Sequence, residues 1–488
     1  MKPIRFAIAG LLVAVGGVAH AQQSSTIPVT STFVEVEWKR IDPIVQTRHY
    51  TAEPERIPNA APVTLPMPTG VPTTLPAVRT MAEPGKIAAT PAPVPVAAQA
   101  SEGSCPAIVA ACCQPCGPQG RMWFEGEYLL WWAKGASSPP LASFSPAGTP
   151  IEQAGVLGTP GATTTFGNQR LNNGLQMGFQ TRAGIWLDDC HKWGLEGGFM
   201  LLGGDSTNNV AGSPTGATIV SRPFFNALSG QPDAQLVSFP GVLNGTVSVN
   251  SQISQIWGYD VLGRKQLCCI ADDCADACGT SGRFNNYRRW DLLVGYRHYD
   301  FSDEINITEN LFPQDPAVVP GTQIIVQDQF RARTRFDGIV LGIAGERTYN
   351  RLYLQGAIKL NVGQVTREVS IYGQTTVNVP GEGQSIEPGG LLALNSNIGT
   401  YRDTDWTVIP ETQLRVGYRI TQRMTAYAGY NLIVWPKVAR AAEQIDPAVN
   451  TNLIPPVIDN SGPARPAFFG PTSTLWIQGV SLGVNLQF

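Results

Sequence analysis

Nine cysteines are the residues of this sequence best suited to covalent chemistry. They are Cys105, Cys112, Cys113, Cys116, Cys190, Cys268, Cys269, Cys274 and Cys278. If the chain is exported, disulfide bonds are the expected state, so all nine are disulfide candidates. The odd number leaves one thiol free or shared with a second chain. The rival interpretation is a thiolate metal site at Cys113-x2-Cys116 and Cys274-x3-Cys278. An oxidising compartment disfavours that site, and we predict no metal.

The sequence offers little for catalysis. It contains no phosphate-binding loop, zinc-binding helix or nucleophile elbow. His298 lies near Asp300, Asp303 and Glu304, and a membrane protease or phospholipase would need a histidine with such acidic partners. A histidine at the membrane interface or in a loop explains the same pattern more simply. We therefore predict that the chain is not an enzyme, has no catalytic residues and needs no cofactor.

A third set of residues carries charge on segments that otherwise alternate apolar with small or polar residues. Its members are Glu125, Glu127, Arg182, Glu196, Asp291, Arg297, Lys359, Glu411, Arg415 and Arg419. Lining a wide pore, such side chains tune ion selectivity. A barrel of ten strands is only slightly wider than one filled by side chains, and there the same residues would pair and close it. The residue types leave both alternatives open.

The elements that position these charges are long segments with a period of two. In 174–187, Leu175 and Met177 share one face with five further residues, while Gln176 and Arg182 share the other. A strand of a soluble sandwich has about 5–6 residues, whereas a transmembrane strand has about 9–11 and turns one face to lipid. Ten segments are predicted as strands: 121–133, 174–187, 193–202, 246–262, 287–301, 331–346, 351–363, 405–420, 423–434 and 473–488.

Two further expectations concern the face turned to lipid. In 246–262 we place Val247, Val249, Ile253 and Trp257 on the outer face. Tryptophans near strand ends are expected to form girdles at the membrane interfaces. They are Trp131, Trp132, Trp186, Trp193, Trp435 and Trp476.

The connections between these segments alternate in length. Those after odd-numbered segments are long: 134–170, 204–245, 302–330, 373–404 and 436–472. Three of the four after even-numbered segments are tight. Outer-membrane barrels have short periplasmic turns and longer external loops. The sequence therefore predicts an all-β, transmembrane, antiparallel up-and-down barrel of ten strands, or twelve if 218–225 and 234–239 form another hairpin. All nine cysteines would then lie on the periplasmic side, where disulfides would tie the N-terminal segment to the barrel base.

Composition and the N-terminus support export to an outer membrane. Charged residues make up 15% of the chain, well below the roughly 25% of a soluble protein. The net charge of −3 gives no basic excess for nucleic acid, and we predict no nucleic-acid partner. After the N-terminus no stretch holds the roughly 18 apolar residues of a membrane helix. We predict a cleaved signal peptide at 1–21, a disordered Pro/Ala/Thr-rich periplasmic linker at 22–104, a Cys-rich segment at 105–120 and the barrel at 121–488.

Several motifs resemble an outer-membrane β-barrel porin family, group seven of its naming series. They are GRMWFEGEYLLWW at 120–132, PPL at 139–141, GVLGTPG at 155–161, GIWLD at 184–188, DLLVGYR at 291–297, GYNL at 429–432 and VAR at 438–440 with QID at 444–446. One departure is AAE at 441–443, where the family tends to carry a Pro-Gly-Asp-like turn. The resemblance implies a barrel in the bacterial outer membrane and leaves its substrate undefined.

These observations predict a porin-like channel for passive diffusion of small solutes. The alternative is a non-conducting structural or adhesion barrel whose external loops and periplasmic tail bind envelope or extracellular partners. Phe488 ends the last strand and resembles the terminal signal that barrels present to their insertion machinery. The expected partners are outer-membrane lipid and that machinery, with peptidoglycan or another envelope protein as candidates for the linker. The sequence does not determine the oligomeric state.

Overall fold

The computed structural model describes residues 120–271, 286–456 and 458–488. The predicted signal peptide, the linker and the Cys-rich segment as far as residue 119 lie outside the described residues. Within them, no helix is long and apolar enough to cross a bilayer.

Ten antiparallel strands form a closed ring, here called the wall. Strands are numbered β1–β19 in chain order, and each wall strand pairs with the next. The wall strands are β1 (Met122–Ala133), β6 (Leu175–Trp186), β7 (Trp193–Leu202), β11 (Leu243–Ala271), β12 (Tyr287–Pro313), β13 (Gln323–Tyr349), β14 (Leu352–Val379), β16 (Gly399–Arg419), β17 (Met424–Val438) and β19 (Ser473–Gln487). Pairing of β1 with β19 closes the ring. The predicted all-β barrel is confirmed, and each of the ten predicted segments overlaps one wall strand.

The two rims of the wall differ. The start of β1 at Met122 and the end of β19 at Gln487 lie at one rim. The short turns 187–192, 350–351 and 420–423 lie there too. We call this the lower rim and the opposite one the upper rim. The short turns match the predicted tight connections.

Above the lower rim the wall carries an apolar outer belt. Large exposed side chains on it include Met177, Leu195, Ile343, Leu414 and Leu482, each between 47% and 56% exposed. Their neighbours along each strand point inward, as the period of two predicts. An exposed apolar band of this size is what lipid, rather than water, would cover.

The tryptophan prediction is partly wrong. Trp132 and Trp193 are exposed on the outer face. Trp131, Trp186 and Trp435, by contrast, are at most 5% exposed and point into the barrel. Each follows the inward phase of its strand, and strand phase decides the direction of a side chain regardless of its distance from the strand end.

Four neighbouring strands are much longer than predicted. β11 to β14 have 27 to 29 residues each. Predicted loop 302–330 is therefore mostly strand, and only 314–322 connects β12 to β13. The same correction applies to 373–404, because β14 continues to Val379 and β16 begins at Gly399. At about 3.3 Å per residue such strands reach about 90 Å, far more than a membrane requires.

A β-bulge in β11 reverses one predicted face. Its register against β12 shifts between Ile253 and Gln255. Before the bulge the odd-numbered residues point inward, and Val247, Val249 and Ile253 are each 1% exposed. After the bulge the even-numbered residues point inward instead. The placement of these three residues on the outer face was wrong, because a bulge adds one residue and inverts the alternation.

The long connections at the upper rim fold together into the part of the structure here called the cap. Its strands are β2 (Ala136–Ser137), β3 (Pro140–Ser145), β4 (Thr163–Gly167), β5 (Arg170–Leu171), β9 (Ile219–Asn226), β10 (Gln231–Ser238) and β18 (Ala448–Val449), with 3-10 helices at Ile151–Gln153, Ala441–Gln444 and Thr451–Leu453. β8 (Asp205–Ser213) and β15 (Gly383–Pro388) instead pair with β11 and β14, giving a sheet of twelve strands. The hairpin suspected in 204–245 exists as β9 and β10. It pairs within the cap, so the wall keeps ten strands.

The inward faces of the long wall strands pack against the cap in one apolar core. Ile305, Ile307 and Phe330 of the wall are fully buried against Leu141 and Val220 of the cap. The cap thus replaces solvent on the inner side of the wall, and its burial explains why apolar residues continue on that face beyond the belt.

Candidate functional site

The charged lumen is the site that the sequence singled out. The ten predicted side chains all point into the barrel and are only 2% to 8% exposed. They are Glu125, Glu127, Arg182, Glu196, Asp291, Arg297, Lys359, Glu411, Arg415 and Arg419. Burial of so many charges is tolerated only when they are paired and hydrogen-bonded.

Eight lumen side chains form one unbroken row of alternating charge, here called the ladder. In order they are Arg289, Asp291, Arg264, Glu196, Arg182, Asp260, Arg297 and Glu411. Neighbours approach within 2.8 to 3.1 Å. Arg182 lies at the centre: both of its terminal nitrogens donate to Asp260, and one also donates to Glu196. Each charge of the ladder therefore lies against at least one charge of opposite sign.

A second cluster is built on Arg415. Its Nη1 donates to Glu125 Oε2 at 2.8 Å, and its Nη2 contacts Glu127. The Tyr427 hydroxyl donates to Glu127 at 3.1 Å, and the Asn485 amide donates to Glu125 at 2.9 Å. One guanidinium therefore neutralises two carboxylates that have no other ion-pair partner among the described residues.

Lys359 differs from the arginines around it. Lys359 is buried, at 7% exposure, and a buried charge usually has a partner. No hydrogen bond or ion pair joins it to another described residue. Its side chain lines a cavity of about 30 Å³ together with Arg182, Asp260 and Glu411. Two further lumen cavities measure about 30 and 10 Å³. Such volumes hold single water molecules and are too small for a nutrient-sized solute.

Above the charges, apolar side chains fill the lumen in a second layer. Leu129, Trp131, Phe336 and Trp435 are at most 2% exposed and lie in one buried cluster. Tyr299 joins the two layers: its ring packs against Trp435 at 5.6 Å between centroids, and its hydroxyl donates to Glu411 at 2.5 Å. The barrel is thus closed first by paired charges, then by this apolar layer, and then by the cap.

The cap is fastened to the wall by buried ion pairs. Arg222 of β9 donates to Glu309 of β12 at 2.5 Å and to Asp328 of β13 at 2.7 Å. The second oxygen of Asp328 accepts from the backbone amides of residues 391–393 at 2.8 to 3.0 Å. Burial raises the pKa of Glu309 against the opposing effect of Arg222. These contacts hold a cap strand and a connecting segment to the long wall strands.

Sequence reasoning missed several lumen residues. Asp260, Arg264 and Arg289 take part in five of the seven ion-pair contacts of the ladder. The even-numbered face of 246–262 that was placed inside also holds Asp260, and Arg264 follows two residues beyond that segment on the same face. The alternation in β12 could have found Arg289, since it shares the parity of Asp291 and Arg297.

His298 does not contact the three acidic residues that lie near it in the sequence. His298 lies on the outer wall with its Nδ1 2.8 Å from Asp337. Asp300, Asp303 and Glu304 pair instead with arginines: Arg333, Arg440 and Arg331 respectively. The acidic neighbours in sequence are therefore not the partners of the histidine.

At the lower rim the structure describes three of the nine cysteines. Cys190 lies in the turn between β6 and β7, and Cys268 and Cys269 lie near the end of β11. Cys268 is an exposed free thiol, whereas Cys190 and Cys269 each have a partner. The other six lie outside the described residues: Cys105, Cys112, Cys113, Cys116, Cys274 and Cys278. Among the described residues, no group of three or more metal-ligating side chains occurs.

Phe488 lies beside the first wall strand at the lower rim. Its amide donates to the Met122 carbonyl at 2.9 Å, and its carbonyl accepts from Arg121 at 2.7 Å. Its ring is 58% exposed on the outer side. The terminal residue thus belongs to the seam that closes the ring.

Comparison with known proteins gives one family. Residues 123–488 match the family described as "Putative beta barrel porin-7 (BBP7)". The sequence AAE at 441–443, where this chain differs from the turn typical of the family, lies in the 3-10 helix Ala441–Gln444 of the cap. No curated protein matches the sequence.

Similar solved structures include a Pseudomonas aeruginosa FadL homologue, at 8% identity and a TM-score of 0.21, covering 76% of this chain and 91% of that one. Another is the P. putida toluene transporter TodX, at 9% identity and a TM-score of 0.15 with the same coverages. A TodX deltaS2S3 mutant, described as a monoaromatic hydrocarbon channel, matches at 8% identity and a TM-score of 0.18. These likenesses are too low to support an argument about function. The match across the described barrel shows that the chain belongs to the porin-7 family.

Proposed function

We propose that the protein is an outer-membrane barrel of the porin-7 family that is closed in the state described and that presents the cap outside the cell. The single observation that carries this proposal is the filled lumen. Its charges other than Lys359 are paired, the three lumen cavities described above measure at most about 30 Å³, and an apolar layer lies above them. A solute cannot pass unless these side chains move.

Membrane insertion is supported by the outer surface. The apolar belt is flanked by exposed aromatic residues, with Trp193 and Tyr349 near the lower rim and Trp132 and Trp406 nearer the upper. Such rings favour the two interfaces of a bilayer. Short turns at the lower rim support a periplasmic position for that rim, with the cap outside. Export through a cleaved signal peptide and contact of the linker with peptidoglycan or another envelope protein belong to the same proposal.

Opening the barrel would be costly. Separating a buried ion pair costs about 3–5 kcal/mol when one charge is left without a partner. The ladder contains seven consecutive ion-pair contacts. Movement of one side chain breaks at most two of them, and the remaining contacts still block the lumen. In this state the wall acts as a membrane anchor for the cap.

Passive diffusion of small solutes is the second candidate function. Membership of a family named for porins supports it. The ammonium group of Lys359 lies beside a lumen cavity and has no ion-pair partner among the described residues. It also supports this function, because it offers a charge to a passing anion. This function requires a second state in which the ladder and the apolar layer are displaced.

Single-channel conductance in a planar bilayer separates the two functions. We expect the refolded wild-type barrel not to conduct. A double variant, Trp131→Ala with Trp435→Ala, removes the two largest side chains of the apolar layer and should also be silent, because the ladder and the cap still close the lumen. Trp132→Ala is the matched control, because its side chain lies on the outer face. Discrete steps in the wild-type protein would overturn the closed barrel and favour diffusion.

A further inference from the structure

Lys359 is a buried cation whose nearest carboxylate in the sheet is engaged by other donors. Glu411 of β16 lies directly opposite Lys359 of β14 in the register. Its Oε1 accepts from the Tyr299 hydroxyl at 2.5 Å and from the Asn361 amide at 2.7 Å. The same oxygen lies 3.0 Å from Nη1 of Arg297. Glu411 is thus drawn to three other side chains, and it forms no ion pair with the lysine.

The cavity of about 30 Å³ beside Lys359 carries an excess of positive charge. Asp260 is the second carboxylate that lines it. Its two oxygens accept from Arg182 at 2.9 and 3.0 Å, and its Oδ2 also lies 2.9 Å from Arg297. The charged side chains around the cavity are therefore three cations and the two carboxylates of Asp260 and Glu411. The charge without a counter-charge is that of Lys359.

The carboxylates on the other side of Lys359 are engaged as well. Lys359 also lines the cavity of about 10 Å³, together with Glu125 and Glu196. Glu125 lies 2.8 Å from Arg415, and Glu196 lies 2.9 Å from Arg182. No ion pair joins Lys359 to either of them. Each carboxylate that lines the two cavities is thus held by an arginine.

Arg297 adds a second unused donor to the larger cavity. Its side chain lines that cavity and is 6% exposed. Its Nε is buried and donates to no acceptor among the described residues. Buried polar groups are as a rule hydrogen-bonded. Lys359 and Arg297 thus each bring a donor without an acceptor to one small space.

We propose that this cavity binds one monovalent inorganic anion of the size of chloride, held by Lys359 and Arg297. An uncharged water molecule would accept from both donors but would leave the excess charge uncompensated, and burial of such a charge is costly. A volume of about 30 Å³ has room for one particle of roughly the size of water and none for phosphate or sulfate. The site rests on the proposed closed lumen, because the cavity exists only while the ladder is intact.

A crystal of the refolded full barrel grown in bromide tests the site directly. Bromide replaces chloride and is identified by its anomalous scattering. We expect one bromide ion beside Lys359 in the wild-type protein and none there in Lys359→Met. Lys192→Met is the matched control and should keep the ion, since Lys192 is exposed in a turn at the lower rim. A cavity that holds only water, or bromide that remains in Lys359→Met, would overturn the proposal.

Urea unfolding in detergent micelles gives a second readout. Chloride is compared with gluconate at equal ionic strength, because gluconate is too large for the cavity. At a chloride concentration about ten times its dissociation constant, the unfolding equilibrium constant of the wild-type barrel should be about tenfold lower than in gluconate. Lys359→Met should show no such difference, and in gluconate it should be at least as stable as the wild type, because it lacks the unpaired charge. A wild-type barrel that is indifferent to the anion would refute the site.

Conductance separates failure of this site from failure of the closed barrel. A silent barrel without bromide beside Lys359 would leave the closed state and remove the anion site. A barrel that conducts in a bilayer, but whose crystals hold bromide beside Lys359, would refute a permanently closed barrel and keep the anion site.

Discussion

Removing Arg415 should destabilise the barrel more than removing Arg182, although Arg182 lies at the centre of the ladder. The reason is what each substitution leaves behind. Without Arg182, Asp260 still has Arg297 at 2.9 Å and Glu196 still has Arg264 at 3.0 Å. Every carboxylate that loses Arg182 keeps one arginine.

Without Arg415, both Glu125 and Glu127 lose their ion-pair partner. The remaining hydrogen bonds from Asn485 and Tyr427 are single contacts from uncharged groups. Leaving a buried charge unpaired costs about 3–5 kcal/mol. Loss of hydrogen bonds to a charged group that keeps a partner costs about 1.5–3 kcal/mol. We therefore expect Arg415→Met to lower the free energy of unfolding by about 2 kcal/mol more than Arg182→Met.

Urea unfolding in detergent micelles, followed by tryptophan fluorescence, measures this difference. Arg423→Met, at an exposed turn position, should be close to neutral and serves as the control. Adding Glu125→Gln and Glu127→Gln to Arg415→Met should recover most of the loss, since no unpaired charge then remains. The reasoning is refuted if Arg182→Met is the more destabilising change, or if the triple variant is no more stable than Arg415→Met alone.

The remaining predictions concern the cap and the lower rim. Asp328→Ala should raise hydrogen exchange at the amides of residues 391–393 by at least about 100-fold, equivalent to about 3 kcal/mol, because it removes their common acceptor. Asp315→Ala, in an exposed loop, should leave that exchange unchanged, and equal protection in both variants would contradict the role assigned to Asp328. Peptide mapping without reduction should find a disulfide between the 105–116 and 268–278 segments, and its absence would refute the predicted tie between them.

The wall was predictable because lipid imposes one simple rule on every strand. Leu175 and Met177 must alternate with residues such as Gln176, and this rule does not depend on the neighbouring strand. The upper ends of β11 to β14 were not predictable in this way. Ile305 and Ile307 keep the same period but are buried by the cap, and burial by a distant segment leaves no local signal in the sequence.

The sequence predicted which charged side chains point into the lumen, but not which of them form ion pairs with each other. Alternation placed Arg182 and Glu411 inside the barrel, since it fixes only which side of the strand a residue occupies. Which charges touch depends on the stagger between strands, and this stagger is set by pairing around the whole ring. Val249 shows a further limit: the bulge that follows it inverts the phase of β11, and nothing in the residue types there marks it.

The unequal strand lengths give the protein a front and a back in the plane of the membrane. The long strands are neighbours, so one side of the wall is a continuous sheet of 27 to 29 residues, while β1, β6 and β7 on the other side have only 10 to 12. From the back, an approaching molecule meets only the outside of that sheet. From the front it meets the cap itself, above the short strands. With the cap outside the cell as proposed, its encounters would be directional, and rotation of the barrel in the membrane would decide which neighbour the cap can reach.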